Sequence, residues 1–207
     1  MVKDRSMIAI IDYGLGNIFA FANILKQLGT DFIIADNKSK LDGAKKIILP
    51  GVGAFDQAMS LLNKSGMRQK IDELVLSYEI PIVGICVGMQ IMANSSEEGS
   101  SDGLGYINAK VKKIRPNNPK YIIPHMGWNT IEFKDNKLFT NLGDGAKFYF
   151  LHSYFVECKY HSDSIAETEY FGKFTSAINH KNFYGLQFHP EKSHTNGINI
   201  LKNFTEL

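Results

Sequence analysis

A single cysteine set between two glycines is the residue of this sequence best placed for covalent chemistry. Cys86 sits in Gly84-Ile85-Cys86-Val87-Gly88, between the apolar run Ile82-Val83-Gly84-Ile85 and the helix-like Met89-Gln90-Ile91-Met92. A nucleophile at a sharp strand-to-helix turn occupies a strained backbone conformation. The residues two before and two after it must be small for strand and helix to pack closely, and Gly84 and Gly88 meet that need. A helix starting directly after Cys86 would favour the thiolate, and the Val87 N–H can point at the oxyanion formed when the thiolate attacks a carbonyl.

A cysteine nucleophile needs a base that takes its proton and later protonates the leaving group, and that base needs a carboxylate to orient it. Gln187-Phe188-His189-Pro190-Glu191-Lys192-Ser193 supplies both, with His189 just past a strand end and Glu191 two residues on. A lone cysteine is more often a small buried residue, and His-Pro-Glu alone is more often a solvated turn. Together the two segments make Cys86, His189 and Glu191 a candidate triad. Leu49-Pro50-Gly51-Val52-Gly53 is a third element, a Gly-rich loop whose backbone N–H groups can complete an oxyanion hole with Val87.

The elements that position these groups follow from the apolar pattern. Residues 8–12 read as a strand, followed by a Gly turn and a helix from Ile18 to Leu28 that stops at Gly29. Strands follow at 31–35 and 46–49, helices at 54–78 broken near Gly66, and a buried strand at 82–85. Strand and helix thus repeat four times, with near-continuous apolar strands, as in a parallel sheet covered on both faces. Beyond Gly99 come shorter segments at 106–114, 130–133, 147–158, 164–170, 174–179 and 183–188, read as mostly antiparallel strands flanking the main sheet, and a closing helix at 197–204. The expectation is an α/β fold in one domain, 1–207: a central, mostly parallel sheet with helices on both faces plus a smaller antiparallel sheet.

Composition narrows the function. Hydrophobic residues make up 44% of 207, and charged residues 21%, an ordinary globular balance. A net charge of +2 with no basic cluster larger than the four charges of 110–115 gives no footprint for nucleic acid. The opening residues 1–6 are polar and the apolar run 7–11 is too short for a signal core or a membrane span, so the expected compartment is the cytoplasm. Two cysteines, Cys86 and Cys158, are too few for a disulfide framework, and Cys158 reads as an inert strand residue.

These motifs strongly resemble the class I, triad-type glutamine amidotransferases. Within them the chain is similar to the glutaminase-subunit family of imidazole glycerol phosphate synthase, which shares Ile11-Asp12-Tyr13-Gly14-Leu15-Gly16-Asn17, Ile123-Pro124-His125-Met126-Gly127-Trp128-Asn129 and Phe148-Tyr149-Phe150-Leu151-His152-Ser153-Tyr154. The resemblance implies hydrolysis of L-glutamine to glutamate through a thioester on Cys86. The ammonia passes to a (β/α)8-barrel synthase subunit, and no cofactor is required. It also implies that Gly53, Gln90 and Glu98, or the adjacent Glu97, hold the glutamine with the backbone of Ser153 and Tyr154, while Val52 and Val87 give the oxyanion donors. Asn17, Trp128, Tyr149 and Lys192 would lie on the face that docks on the synthase, and the isolated chain would be a poor glutaminase. Val87 and Ser193-His194-Thr195-Asn196-Gly197 depart from the family's usual residues, outside the triad.

Three other readings share these motifs: a paralogue feeding ammonia to sugar amidination in surface polysaccharide synthesis, a stand-alone cysteine hydrolase of γ-glutamyl bonds, and a scaffold that has lost the chemistry. Gly14-Leu15-Gly16 with Asp36 mimics a dinucleotide fingerprint, but the third glycine is missing and Phe19 would obstruct the helix approach. The six histidines show no zinc-type spacing, so no metal is expected.

Overall fold

The computed structural model describes residues 7–116 and 118–207, and the polar opening 1–6 lies outside the described residues. The first half contains β1 (Ile8–Ile11), α1 (Ile18–Gln27), β2 (Phe32–Ala35), β3 (Lys46–Gly51), α2 (Phe55–Lys64), α3 (Arg68–Asp72), β4 (Ile82–Cys86) and α4 (Val87–Gln90). β1, β3 and β4 are buried along their whole length, which is why their sequences run apolar without alternation. The strands lie parallel in the order β2-β1-β3-β4. The chain therefore moves one way after β1 and the other way after β3, and right-handed crossovers place α1 and α2 on opposite faces.

Two connections differ from the four strand–helix repeats expected from the sequence. Between β2 and β3 the chain makes only a 3-10 turn, Lys38–Leu41, closed by the Asn37 side chain accepting from the Ser39 N–H at 3.1 Å. After β4 the helix lasts one turn. The carbonyls of Ile91, Met92 and Ala93, which would continue it, instead accept from the amides of Leu104, Ile107 and Gly105. The expected break at Gly66 is present, with φ +70°, between α2 and α3.

The second half contains β5 (Ser95–Ser96), β6 (Ala109–Lys113), β7 (His125–Thr130), β8 (Glu132–Phe133), β9 (Lys147–His152), β10 (Tyr154–Cys158), β11 (Ser164–Glu169), β12 (Lys173–His180), β13 (Phe183–Leu186) and α5 (His194–Glu206), which packs beside α1. β13 joins β4 in parallel, and β12, β10 and β6 then extend the same sheet in antiparallel fashion. The segment 147–158, expected as one strand, breaks at Ser153. β9 pairs with β7 in a separate two-stranded sheet, whereas β10 enters the main one. The Ser153 carbonyl at this crossing accepts from the Ile114 N–H at 2.9 Å.

Backbone packs directly on backbone at the end of β4. A Cβ on Gly84 would lie 2.5 Å from the Gly88 carbonyl oxygen and 2.6 Å from the Met89 nitrogen, one on Gly88 would run into the Leu49 carbonyl, and one on Gly51 into the Gly88 amide. Rigid main chain cannot yield as a side chain can. Gly84→Ala is therefore expected to cost about 3 kcal/mol, the upper range of overpacking, read as a lower urea midpoint; an unchanged midpoint would show that β4 and α4 can separate.

Candidate active site

The packing of β3, β4 and α4 leaves Cys86 at φ +54° and ψ −109°, a conformation that few side chains adopt without strain. Its sulfur stands 3.7 Å from Gln187 Nε2 and 3.8 Å from the Leu151 carbonyl oxygen. Val87 opens α4, so its N–H is among the first-turn amides without a partner inside the helix. With α4 one turn long, these local amides supply most of the positive potential, and the expected helix dipole adds little.

His189 follows β13, which lies beside β4, so its position is tied to that of Cys86 by strand pairing. Its backbone is clamped: its N–H donates to the Tyr149 carbonyl at 2.9 Å, and its carbonyl accepts from the Ser193 hydroxyl at 2.6 Å. His189 Nδ1 meets Glu191 Oε1 at 2.9 Å, with the two side chains only 3% and 2% exposed. That leaves Nε2 for Cys86. Burial alone would lower the His189 pKa, but hydrogen bonds to Cys86 and Glu191, with the charge on both, lift it to about 10.

A cavity of about 270 Å³ opens in front of the sulfur. Val52 and Gly53 line it from the loop after β3, Cys86, Val87 and Gln90 from the elbow, and Ser153 and Tyr154 from the junction between β9 and β10. Glu98 lines it too and accepts from the Phe55 N–H at 2.8 Å. Glu97 turns away: the Lys113 N–H and the Arg115 guanidinium bind it and hold its pKa near about 2. Of the four residues expected on the docking face, Lys192 also reaches the cavity, and its Nζ stands 5.6 Å over the Tyr149 ring. Tyr149 pairs across strands with Trp128, which is 47% exposed and stacks on His194 at 5.1 Å. Asn17 is exposed and directly precedes α1.

Several residues without a role in the sequence reading are brought here by the fold. Pro124, Leu151 and His152 line the cavity, and Gln187, fully buried, faces the sulfur. His152 pairs with His125 at 2.9 Å across β7 and β9. All of them lie within the shared motifs or beside them, so motif membership was the available signal. Phe19 departs from expectation: it is 74% exposed, so its ring faces solvent and obstructs nothing. Gly14 and Gly16 hold φ +95° and +100°, and a side chain on Gly16 would strike Pro50, so both serve the turn itself. Burial pushes the Cys158 thiol up to about 12. Among the described residues no group of three or more His, Cys, Asp or Glu side chains is arranged to hold a metal ion.

The model of the family described as glutamine amidotransferase class-I matches residues 9–207. Imidazole glycerol phosphate synthase subunit HisH of Leptospira interrogans is 50% identical over 204 residues, 97% of this chain and 100% of the relative. The protein of that name in Bdellovibrio bacteriovorus matches to the same extent, and subunit HisH 2 of Methanococcus maripaludis is 47% identical, covering 96% and 98% of the two chains. Among solved structures, a glutamine amidotransferase superposes with TM-score 0.76 at 19% identity over 96% of this chain and 97% of its own. PurLQS from Thermotoga maritima gives 0.74 at 18%, over 98% of both chains. These last two speak for the fold.

The raised His189 pKa has a signed consequence for stability. A histidine in the unfolded chain titrates near ~6.5, so the paired imidazolium stabilises the fold fully below that pH and loses the contribution as pH rises through about 10. In Glu191→Gln the imidazole midpoint, followed by NMR, is expected to fall towards the unfolded value, and the stability gap to the wild type to narrow between pH 7 and 10. An unmoved midpoint would sink the assignment of Glu191 as the orienting carboxylate.

Proposed function

The chain belongs to the class I glutamine amidotransferases, and we propose that it is the glutaminase subunit of an imidazole glycerol phosphate synthase, releasing ammonia from glutamine for histidine biosynthesis. The observation that carries the chemistry is the buried 2.9 Å contact between His189 and Glu191 behind the strained Cys86. The histidine pathway rests on relatives at 47–50% identity along nearly the whole chain. None of these relatives carries the name of a sugar-amidating enzyme or a peptidase.

At neutral pH His189 holds protons on both ring nitrogens, one shared with Glu191 and one directed at Cys86, and this charge favours the attacking thiolate. The sulfur adds to the glutamine carboxamide carbon. The oxyanion lies between the backbone N–H groups of Val52 and Val87. Collapse transfers the Nε2 proton to the departing ammonia and leaves a γ-glutamyl thioester. His189, now neutral, takes a proton from water as the oxygen adds to the thioester carbon, and the sulfur then departs as thiolate while glutamate forms, which restores the imidazolium–thiolate pair.

Glu98, Gly53 and Gln90, with the backbone of Ser153 and Tyr154, hold the substrate in the cavity they line. The ammonia acceptor is a barrel-shaped synthase subunit that docks on the face bearing Trp128, Tyr149 and Lys192, with Asn17 at its margin. Exposed Met126, Trp128 and Val52 support that placement. The isolated chain is then a slow glutaminase, activated by the docked synthase. A cytoplasmic location fits a reaction carried by an unpaired thiol, and among the described residues no helix is long and apolar enough to cross a membrane.

In the complex with its synthase, Cys86→Ala is expected to lower glutamine-dependent product formation by at least ~10⁴-fold, the scale of losing a covalent nucleophile. Ammonia-dependent formation should remain within about 2-fold of the wild type. Residual turnover of glutamine at a tenth of the wild-type rate would rule out Cys86 as the nucleophile.

A further inference from the structure

A chain of hydrogen bonds joins the outer β7–β9 pair to the nucleophile, and one backbone carbonyl sets its sense throughout. The Tyr154 carbonyl can only accept. It takes one bond from His152 Nδ1 at 2.8 Å and another from Gln90 Nε2 at 3.0 Å. His152 therefore carries its proton on Nδ1, which makes its Nε2 an acceptor. His125 Nδ1, 2.9 Å away, must then be the donor. His125 Nε2 is left to accept from Asn129 Nδ2 at 3.3 Å, whose other N–H goes to the Glu169 carbonyl at 3.0 Å.

The same logic runs inward. Gln90 directs its second N–H to Gln187 Oε1 at 3.1 Å, which turns Gln187 Nε2 towards the Cys86 sulfur. Both donors of Gln90 are then occupied, so its Oε1 is the atom it can offer to a ligand in the cavity it lines. His125, His152, Gln90 and Gln187 are all buried, and burial alone holds His125 down to about 4, while in His152, pushed down to about 3, it outweighs the opposing bond to Tyr154. The rings are also wedged in place, with His125 stacked 4.0 Å from Tyr170 and 4.9 Å from Phe150.

We propose that His125 and His152 are positioning residues for glutamine: by pinning the Tyr154 carbonyl they hold the Gln90 amide so that Oε1 faces the substrate and Gln187 Nε2 faces Cys86. The proposal rests on the glutaminase reading and adds to it two residues outside the triad. Removing the His125 nitrogens leaves His152 Nε2 buried without its donor, and the defect passes to Tyr154 and Gln90 as lost orientation.

In the synthase complex, His125→Phe keeps a stacking ring but no donor. It is expected to raise the glutamine KM about 10-fold, the scale of one lost buried hydrogen bond, with kcat within about 3-fold and ammonia-dependent synthesis unchanged. His125→Asn, which keeps an N–H near the position of ring Nδ1, should bring KM back to within about 3-fold of the wild type. An unchanged KM in the Phe variant, or an equal rise in both variants, would overturn the proposal. If the Phe variant does not fold, long-range ¹H–¹⁵N correlation on the wild type decides: both histidines should be Nδ1–H tautomers, and an Nε2–H tautomer at either overturns the relay. That measurement needs no turnover, so a wild-type complex unable to use glutamine would refute the functional reading separately.

Discussion

Cys86 holds a backbone conformation that costs on the order of 1–3 kcal/mol and persists only where its surroundings over-determine it. Here they do so through main chain packed on main chain. Gly51 at the end of β3, Gly84 in β4 and Gly88 in α4 approach so closely that none has room for a methyl group. Because β3, β4 and β13 are hydrogen-bonded neighbours, the same contact fixes three groups at once. The loop bearing Val52 and Gly53 leaves β3, the sulfur leaves β4, and His189 follows β13. A small shift at the elbow would therefore displace the loop after β3, the Cys86 sulfur and His189 together.

Three buried histidines lie close to this elbow, and their partners divide their electrostatics. His189 faces the Cys86 sulfur and a carboxylate with 2% exposure and is raised, because hydrogen bonds to both and their negative charge offset the cost of burying an imidazolium. His125 and His152 hydrogen-bond to each other, an amide and a carbonyl and meet no carboxylate, so burial dominates, the nearby His189 charge lowers His152 further, and both stay neutral. The site thus holds one proton carrier beside two histidines with a single fixed hydrogen-bonding sense each. A second proton would turn an acceptor into a donor: on His152 Nε2 it would oppose the His125 N–H, and on His125 Nε2 it would oppose the Asn129 amide.

The sheet shows the same division of labour. Its parallel part, β2-β1-β3-β4-β13, carries the reacting groups at the ends of its strands, where open α/β sheets bind ligands. The antiparallel extension and the β7–β9 pair build the opposite wall of the cavity, through Leu151, His152, Ser153 and Tyr154, and the exposed aromatic face around Trp128. The chain crosses from one sheet to the other at Ser153, so the residues lining the cavity are fixed by both sheets.

The elbow, the His-Pro-Glu turn and the parallel strands were legible in the sequence because each is local. Glycines two residues either side of Cys86, a carboxylate two residues from His189 and unbroken apolar runs state their geometry within a few positions. The sequence named Glu98 by resemblance without excluding Glu97, and which of the two faces the cavity was not legible, since adjacent residues point in different directions only once Arg115 and Phe55 claim one each. Nor was the one-turn length of α4, whose next carbonyls are taken by residues 104–107, or the outward turn of Phe19. His125 and His152 lie 27 positions apart and meet only through the register of β7 on β9. Covalent chemistry was readable because its reactive groups sit in short segments with their own neighbours. The hydrogen-bonded chain from His125 to Gln90 needed the tertiary structure, because a hydrogen bond between distant strands exists only after the register has been chosen.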